Sequence, residues 1–266
     1  MRFFIAVRTR FAEDALAAAV ACGVTQVVIL GAGLDTFAYR SPFGDRLRIF
    51  EVDHPATQIW KRQRLAEANI LIPDSLTFAP VDFECERLSD GLASAGFDSA
   101  QQTFFTWLGV VPYLTEPAMW STLSFISSLH GGAPVVFDYS DPPESFSPEA
   151  RAIHDDREAR VNALGEPWVN YLEPERLRAR LGSIGFKELK TWDQRKFSPV
   201  IFRQGLDLRQ SGVDTFYARP QSERAIRPLR NSSLCLEYSS SIVAPASIAD
   251  RLASAYSRMA SGLARR

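Results

Sequence analysis

Cysteine is scarce in this chain. Its three residues, Cys22, Cys85 and Cys235, stand far apart, so neither a disulfide framework nor a paired zinc knuckle is available. A reducing, cytoplasmic compartment is therefore the expected one. Charge of one sign is not in excess either: 30 Lys and Arg face 31 Asp and Glu, for a formal net charge of −1. That balance excludes a dedicated basic nucleic-acid binder and an acidic disordered tail. Long apolar runs are missing as well. The stretch Phe3-Phe4-Ile5-Ala6-Val7 stops at Arg8, short of the roughly 7–15 apolar residues of a signal peptide. Residues 16–34 carry no charge, but Gly23, Thr25 and Gln26 split them into a helix end and a β-branched run. No membrane span is expected from them.

What the chain does have is alternation. Apolar or β-branched runs at 25–30, 48–53, 76–81, 102–107 and 134–138 read as strands. Helical spacing at 9–22, 56–68 and 116–129 lies between them, with Gly23 and Gly131-Gly132 as stops. This order predicts an α/β fold: a doubly wound, mostly parallel sheet with helices on both faces. A length of 266 residues suits one such domain spanning 1–266. Residues 141–175 break the rhythm with Asp141-Pro142-Pro143, Ser147-Pro148 and Pro167, and read as an insertion, either a substrate lid or a solvated connecting helix. Its charged helix at 149–164 has no evident core face. A helix at 173–181 and a strand at 186–192 follow. Past Gly205 the pattern weakens to a candidate strand at 234–238 and an appended amphipathic helix at 244–266, a surface for homo-oligomer contact. Arg219, Arg224, Arg227 and Arg230 form a loose basic run that reads as solvated surface.

The chemistry collects at the carboxyl ends of the first strands. Gly31-Ala32-Gly33 falls where the first strand turns, and glycine there lets a ligand approach the backbone closely. Asp53 lies 20 residues beyond Gly33 and Glu51 lies 20 beyond Gly31, both at the end of the second strand. An acid at that place accepts hydrogen bonds from ribose hydroxyls, so an adenosine-containing cofactor is expected. The third glycine of a dinucleotide fingerprint is replaced by Thr36, preceded by Asp35, whose carboxylate opposes a pyrophosphate but tolerates a cationic ligand. No Tyr has Lys four positions later, and no Gly-Lys-Ser or Gly-Lys-Thr occurs, so short-chain dehydrogenase and P-loop chemistry are both disfavoured. S-adenosyl-L-methionine fits better than NAD or ATP.

Together, Arg8-Thr9-Arg10-Phe11, Leu30-Gly31-Ala32-Gly33-Leu34-Asp35-Thr36 with Arg40, Phe50-Glu51-Val52-Asp53-His54-Pro55 and Val81-Asp82-Phe83 resemble the leucine carboxyl methyltransferase family. The resemblance is closest to its bacterial, actinobacterial-type branch of S-adenosylmethionine-dependent methyltransferases, and it spans residues 8–140. It implies a class I methyltransferase fold with a seven-stranded sheet and the cofactor across the strand ends. It further implies that Arg8 binds the methionine carboxylate, a role suited to a guanidinium fork. Gly31 and Gly33 would line the methionine and ribose, Asp53 would hold the ribose hydroxyls, Asp82 would accept from the adenine amino group, and Phe83 would pack beside the base. Read on their own, Arg8 could be a surface charge and Asp82 a helix cap, and Glu51 is expected behind the contact layer.

Two departures stand out. The family carries an acid at the end of the fourth strand where this chain has Leu108. It also carries a helical segment ahead of the Arg8 motif, whereas Arg8 is almost first here. The leading reading is an O-methyltransferase acting on a carboxylate or hydroxyl of a small-molecule acceptor. A NAD(P)-dependent oxidoreductase and an N-terminally shortened cofactor binder with little activity are the alternatives. A carboxylate acceptor needs no general base, whereas a hydroxyl needs one. His54, Tyr113 and Tyr139 are near enough to the strand ends to be considered, and none is assigned. Metal ligation is not expected, since His54, His130 and His154 are dispersed and His154-Asp155-Asp156 reads as a solvated helix face.

Overall fold

The computed structural model describes residues 2–192 and 213–220. The first helix, α1 (Arg2–Ala21), leads into β1 (Gln26–Leu30). Then come β2 (Arg48–Asp53), α2 (Pro55–Glu67), β3 (Leu76–Pro80), α3 (Leu88–Ser94), β4 (Thr103–Trp107), α4 (Glu116–Ser128) and β5 (Val135–Ser140). The chain continues through α5 (Pro148–Ala163), α6 (Pro174–Ser183), β6 (Phe186–Trp192) and β7 (Val213–Pro220). The seven strands form one sheet in the order β3-β2-β1-β4-β5-β7-β6. The first five run parallel, while β7 enters antiparallel between β5 and β6.

Strand period decides the two layers of core. In β1 every side chain is buried, because alternate residues face opposite sides of a sheet covered on both. Val28 and Leu30 join Phe50, Val52, Phe105 and Trp107 on the side packed by Leu92 of α3, Leu123 of α4 and Leu181 of α6. Val27 and Ile29 join Ile49, Phe104 and Val136 on the opposite side, under Ala12 and Leu16 of α1. Each such fully buried large side chain stabilises the fold by about 1.5–3 kcal/mol.

The expected α/β fold is present, with two differences. Helix α1 begins at Arg2 instead of near residue 9, and β7, which the sequence pattern did not mark, completes the sheet. The expected strand at 234–238, the helix at 244–266 and the basic run beyond Arg219 lie outside the described residues. No helix among the described residues is long and apolar enough to cross a membrane.

Candidate functional site

Strand order determines where a ligand fits. From β1 the chain winds outward through β2 to β3, then returns to place β4 on the other side of β1. The loops leaving β1 and β4 therefore diverge, and the crevice between them at the carboxyl edge is the natural site in a doubly wound sheet.

The β1 exit is built for close approach. Gly31 has φ +60, and a Cβ there would lie 2.2 Å from Val110 Cγ2 in the β4 exit, so no side chain fits. Gly33 N–H donates to Asp53 Oδ2 at 2.5 Å, which ties the β1 loop to the end of β2. The other oxygen, Oδ1, accepts from His54 N–H at 2.7 Å. Each oxygen keeps a second acceptor direction, and Asp53 is only half-buried. It can therefore still receive the hydroxyls of a ribose. The carboxylate of Asp35 turns inward to accept from Phe37 N–H at 2.6 Å, so it caps a short turn.

Beneath this loop sits a buried ion pair. Lys61 Nζ of α2 donates to Glu51 Oε2 at 2.6 Å and to the Asp35 carbonyl at 2.9 Å. Glu51 is 1% exposed, and burial pushes its carboxyl up to about 7 while Lys61 opposes the rise. Glu51 thus supports the loop from behind and does not face the crevice, as expected.

Helix α1 is fastened across the strand ends by two ion pairs. Glu13 accepts both arms of the Arg40 fork, and Arg40 Nε also donates to Thr36 Oγ1 at 3.0 Å. One turn earlier, Arg8 Nη1 donates to Asp138 Oδ2 at the end of β5. Asp138 Oδ1 accepts from Gly109 N–H at 2.5 Å. Gly109, with φ +75, lies so close to Arg8 that a Cβ would stand 2.7 Å from Nη2. Arg8 is accordingly no loose surface charge. Leu108 lies beside Thr9 and Ala12 of α1, with Glu13 and Asp35 lining the same space, while Asp138 on the adjacent strand meets Gly109, the next residue.

The β3 exit joins the same edge. Val81 N–H donates to the Asp53 carbonyl at 2.9 Å, so Asp82 follows directly beside the end of β2. Asp82 Oδ1 accepts from Glu84 N–H at 3.0 Å and Glu86 returns to Asp82 N–H at 2.8 Å, a local turn and not the start of a helix. Oδ2 lies 3.9 Å from His54 Nε2 and remains partly exposed. Phe83 rests against Trp107 with ring centroids 6.2 Å apart. The structure thus brings Gly31, Gly33, Asp53, Asp82 and Phe83 to one edge, with Val110 against Gly31 and Arg8 against Gly109.

The three groups considered as bases divide. His54 caps α2, its Nδ1 accepting from Ala56 N–H at 3.2 Å, with Pro55 at the first helical position. Tyr139 is fully buried in the core, and Tyr113 is half-buried in the β4 exit. The insertion also differs from the solvated face expected around His154. That ring is 8% exposed, enclosed by Phe146, Trp168 and Tyr171 at centroid distances of 5.3, 5.3 and 5.6 Å. The same segment returns along the strand ends, where Val169 N–H meets the Pro112 carbonyl at 2.8 Å and Leu172 N–H the Ser140 carbonyl at 2.9 Å.

Sequence reasoning missed Asp138, Gly109 and the Glu13–Arg40 clasp. The one available signal was an acid interrupting the apolar run Val135-Val136-Phe137-Asp138-Tyr139 of β5.

A seven-stranded sheet of this order, with β7 antiparallel and a glycine loop at the β1 exit, defines the class I methyltransferase fold. The structure of a protein named "putative methyltransferase" from Thermobifida fusca superposes with a TM-score of 0.56 at 14% identity, covering 82% of each chain. That of a "putative O-methyltransferase" from Nostoc punctiforme gives 0.51 at 10%, over 80% of this chain and 55% of its own. Residues 1–127 match the family model "Leucine carboxyl methyltransferase". The Bacillus subtilis protein named "Putative S-adenosyl-L-methionine-dependent methyltransferase YktD" is 43% identical over 192 residues, 70% of this chain and 62% of its own length. A Mycobacterium tuberculosis protein with the same description is 30% identical over 198 residues, 72% of this chain and 51% of its own. Over residues 1–127 the chain is thus similar to the leucine carboxyl methyltransferase family. It spans between about half and two thirds of the length of these curated relatives.

Proposed function

We propose that this chain is an S-adenosyl-L-methionine-dependent O-methyltransferase. The observation that carries the proposal is the Gly33–Asp53 hydrogen bond between the β1 exit and the tip of β2, which sets a half-exposed carboxylate beside a glycine backbone at the carboxyl edge of the sheet. The residues fit the group: Asp53 for the ribose hydroxyls, Gly31 and Gly33 along the ribose and methionyl chain, and Arg8 for the methionyl carboxylate. Asp82 and Phe83 would complete the adenine end, one to accept from the amino group and one to pack beside the ring.

When bound, the cofactor supplies a methyl on a sulfonium, already electrophilic, so the protein's task is alignment and exclusion of water. An acceptor carboxylate carries its own electron pair and needs no base. For a hydroxyl acceptor Tyr113 is the remaining candidate to take the proton, since His54 caps a helix and Tyr139 lies in the core. The insertion at 141–175 would act as a lid, its returning segment passing the exits of β4 and β5.

Methyl transfer from labelled cofactor into a cell extract tests the activity and finds the acceptor. Label entering a base-labile ester supports a carboxylate acceptor. No transfer with any extract or carboxylate panel, from protein that binds the cofactor, contradicts the assignment as an enzyme.

A further inference from the structure

Resting on the placement of Arg8 just given, we propose that Asp138 is the positioning residue for the methionyl end of the site. Three observations point to it. First, the carboxylate is 2% exposed on a strand whose other residues are buried too, a costly place for a charge unless it is paired and directed. Second, its two oxygens are divided between two different elements: Oδ2 takes Arg8 Nη1 from α1, and Oδ1 takes Gly109 N–H from the β4 exit. Third, Gly109 is shaped around that pairing, since a Cβ would meet Arg8 Nη2 at 2.7 Å and Nη1 at 3.1 Å.

Asp138 therefore does for Arg8 what a carboxylate does for a metal-bound histidine. It fixes which way the fork faces while leaving the guanidinium charged. One arm is held against β5 and the other lies over Gly109, on the path from Arg8 through Val110 to Gly31. Without Asp138 the long arginine side chain would sample many rotamers, and each would have to be frozen out again on binding an anion. Asp138 itself need not touch the ligand. Its effect should appear only for ligands that carry a carboxylate at that end.

The test is calorimetric titration of the full chain with S-adenosylhomocysteine, which has the amino-acid tail, and 5′-methylthioadenosine, which lacks it. Asp138→Asn is expected to weaken the first by about tenfold or more and to leave the second unchanged, as is Arg8→Gln; tenfold corresponds to about 1.4 kcal/mol. The double variant should be no weaker than Arg8→Gln alone, because one variant already removes what the other supports. Equal weakening of both ligands, no weakening of either, or additive losses would each overturn the proposal. Should Asp138→Asn fail to fold, Gly109→Ala displaces Arg8 from the other side and carries the same expectation. Failure of the unaltered chain to bind S-adenosylhomocysteine contradicts the cofactor assignment instead, so the two ideas fail separately.

Discussion

Gly33 and Asp53, 20 positions apart in sequence, are joined by a 2.5 Å hydrogen bond from a backbone N–H to a carboxylate oxygen. The bond couples the glycine loop of β1 to the tip of β2, so one half-buried side chain holds the loop at the carboxyl edge. Asp53→Ala removes the proposed ribose acceptor and leaves the Gly33 N–H without its partner. Binding of S-adenosylhomocysteine should fall below detection in that variant. Asp53→Asn keeps one acceptor oxygen and should lose about 1–3 kcal/mol of binding. Unchanged affinity in either variant removes Asp53 from the site.

The two glycines of the loop are expected to differ in their tolerance. Both have positive φ, a conformation that costs an alanine about 1–2 kcal/mol. At Gly33 that is the whole penalty, because the nearest atom to an added Cβ is 3.9 Å away. At Gly31 the Cβ also strikes Val110, whose branched side chain is stiff. Thermal unfolding should therefore show Gly31→Ala as the more destabilised variant. Adding Val110→Ala should recover the difference; no recovery means that the steric account is wrong.

The buried pair under the loop makes a pH-dependent prediction. Lys61→Met strands Glu51 without its partner and should cost about 3–5 kcal/mol of stability. The Glu51 carboxyl is raised from 4.5 to about 7 in the folded chain by burial. Its contribution is thus fully present below about 4.5 and is lost as pH rises through about 7. Stability of the unaltered chain should decline across that window, and Glu51→Gln should flatten the decline. The Lys61→Met loss should be larger at pH 8 than at pH 5. Denaturant melts at several pH values measure both; a slope unchanged by Glu51→Gln contradicts this assignment.

The parts of this molecule readable from sequence are those decided within a few neighbours. Strand β2 falls at 48–53 as its β-branched and aromatic run implies, and the acid at its end could be paired with the β1 glycines by spacing alone. Residues 2–8 were less legible. Their aromatic and β-branched content is poor for a helix, yet they begin α1, whose place is secured by Arg8 meeting Asp138. That partner lies 130 positions away, a relation no local pattern carries. His154 illustrates the same point on the insertion. Between Asp155 and neighbouring charges it looked solvated, but Phe146, Trp168 and Tyr171 close around it from outside its helix. Strand β7 escaped because its pairing with β5 and β6 is antiparallel and distant, outside the βαβ rhythm that revealed the rest.

The most direct measurement is a parallel titration of the purified chain with S-adenosylmethionine, S-adenosylhomocysteine and NAD. The account predicts saturable binding of both adenosyl ligands at one site per chain and none of NAD. Binding of NAD with no binding of either adenosyl ligand would contradict it.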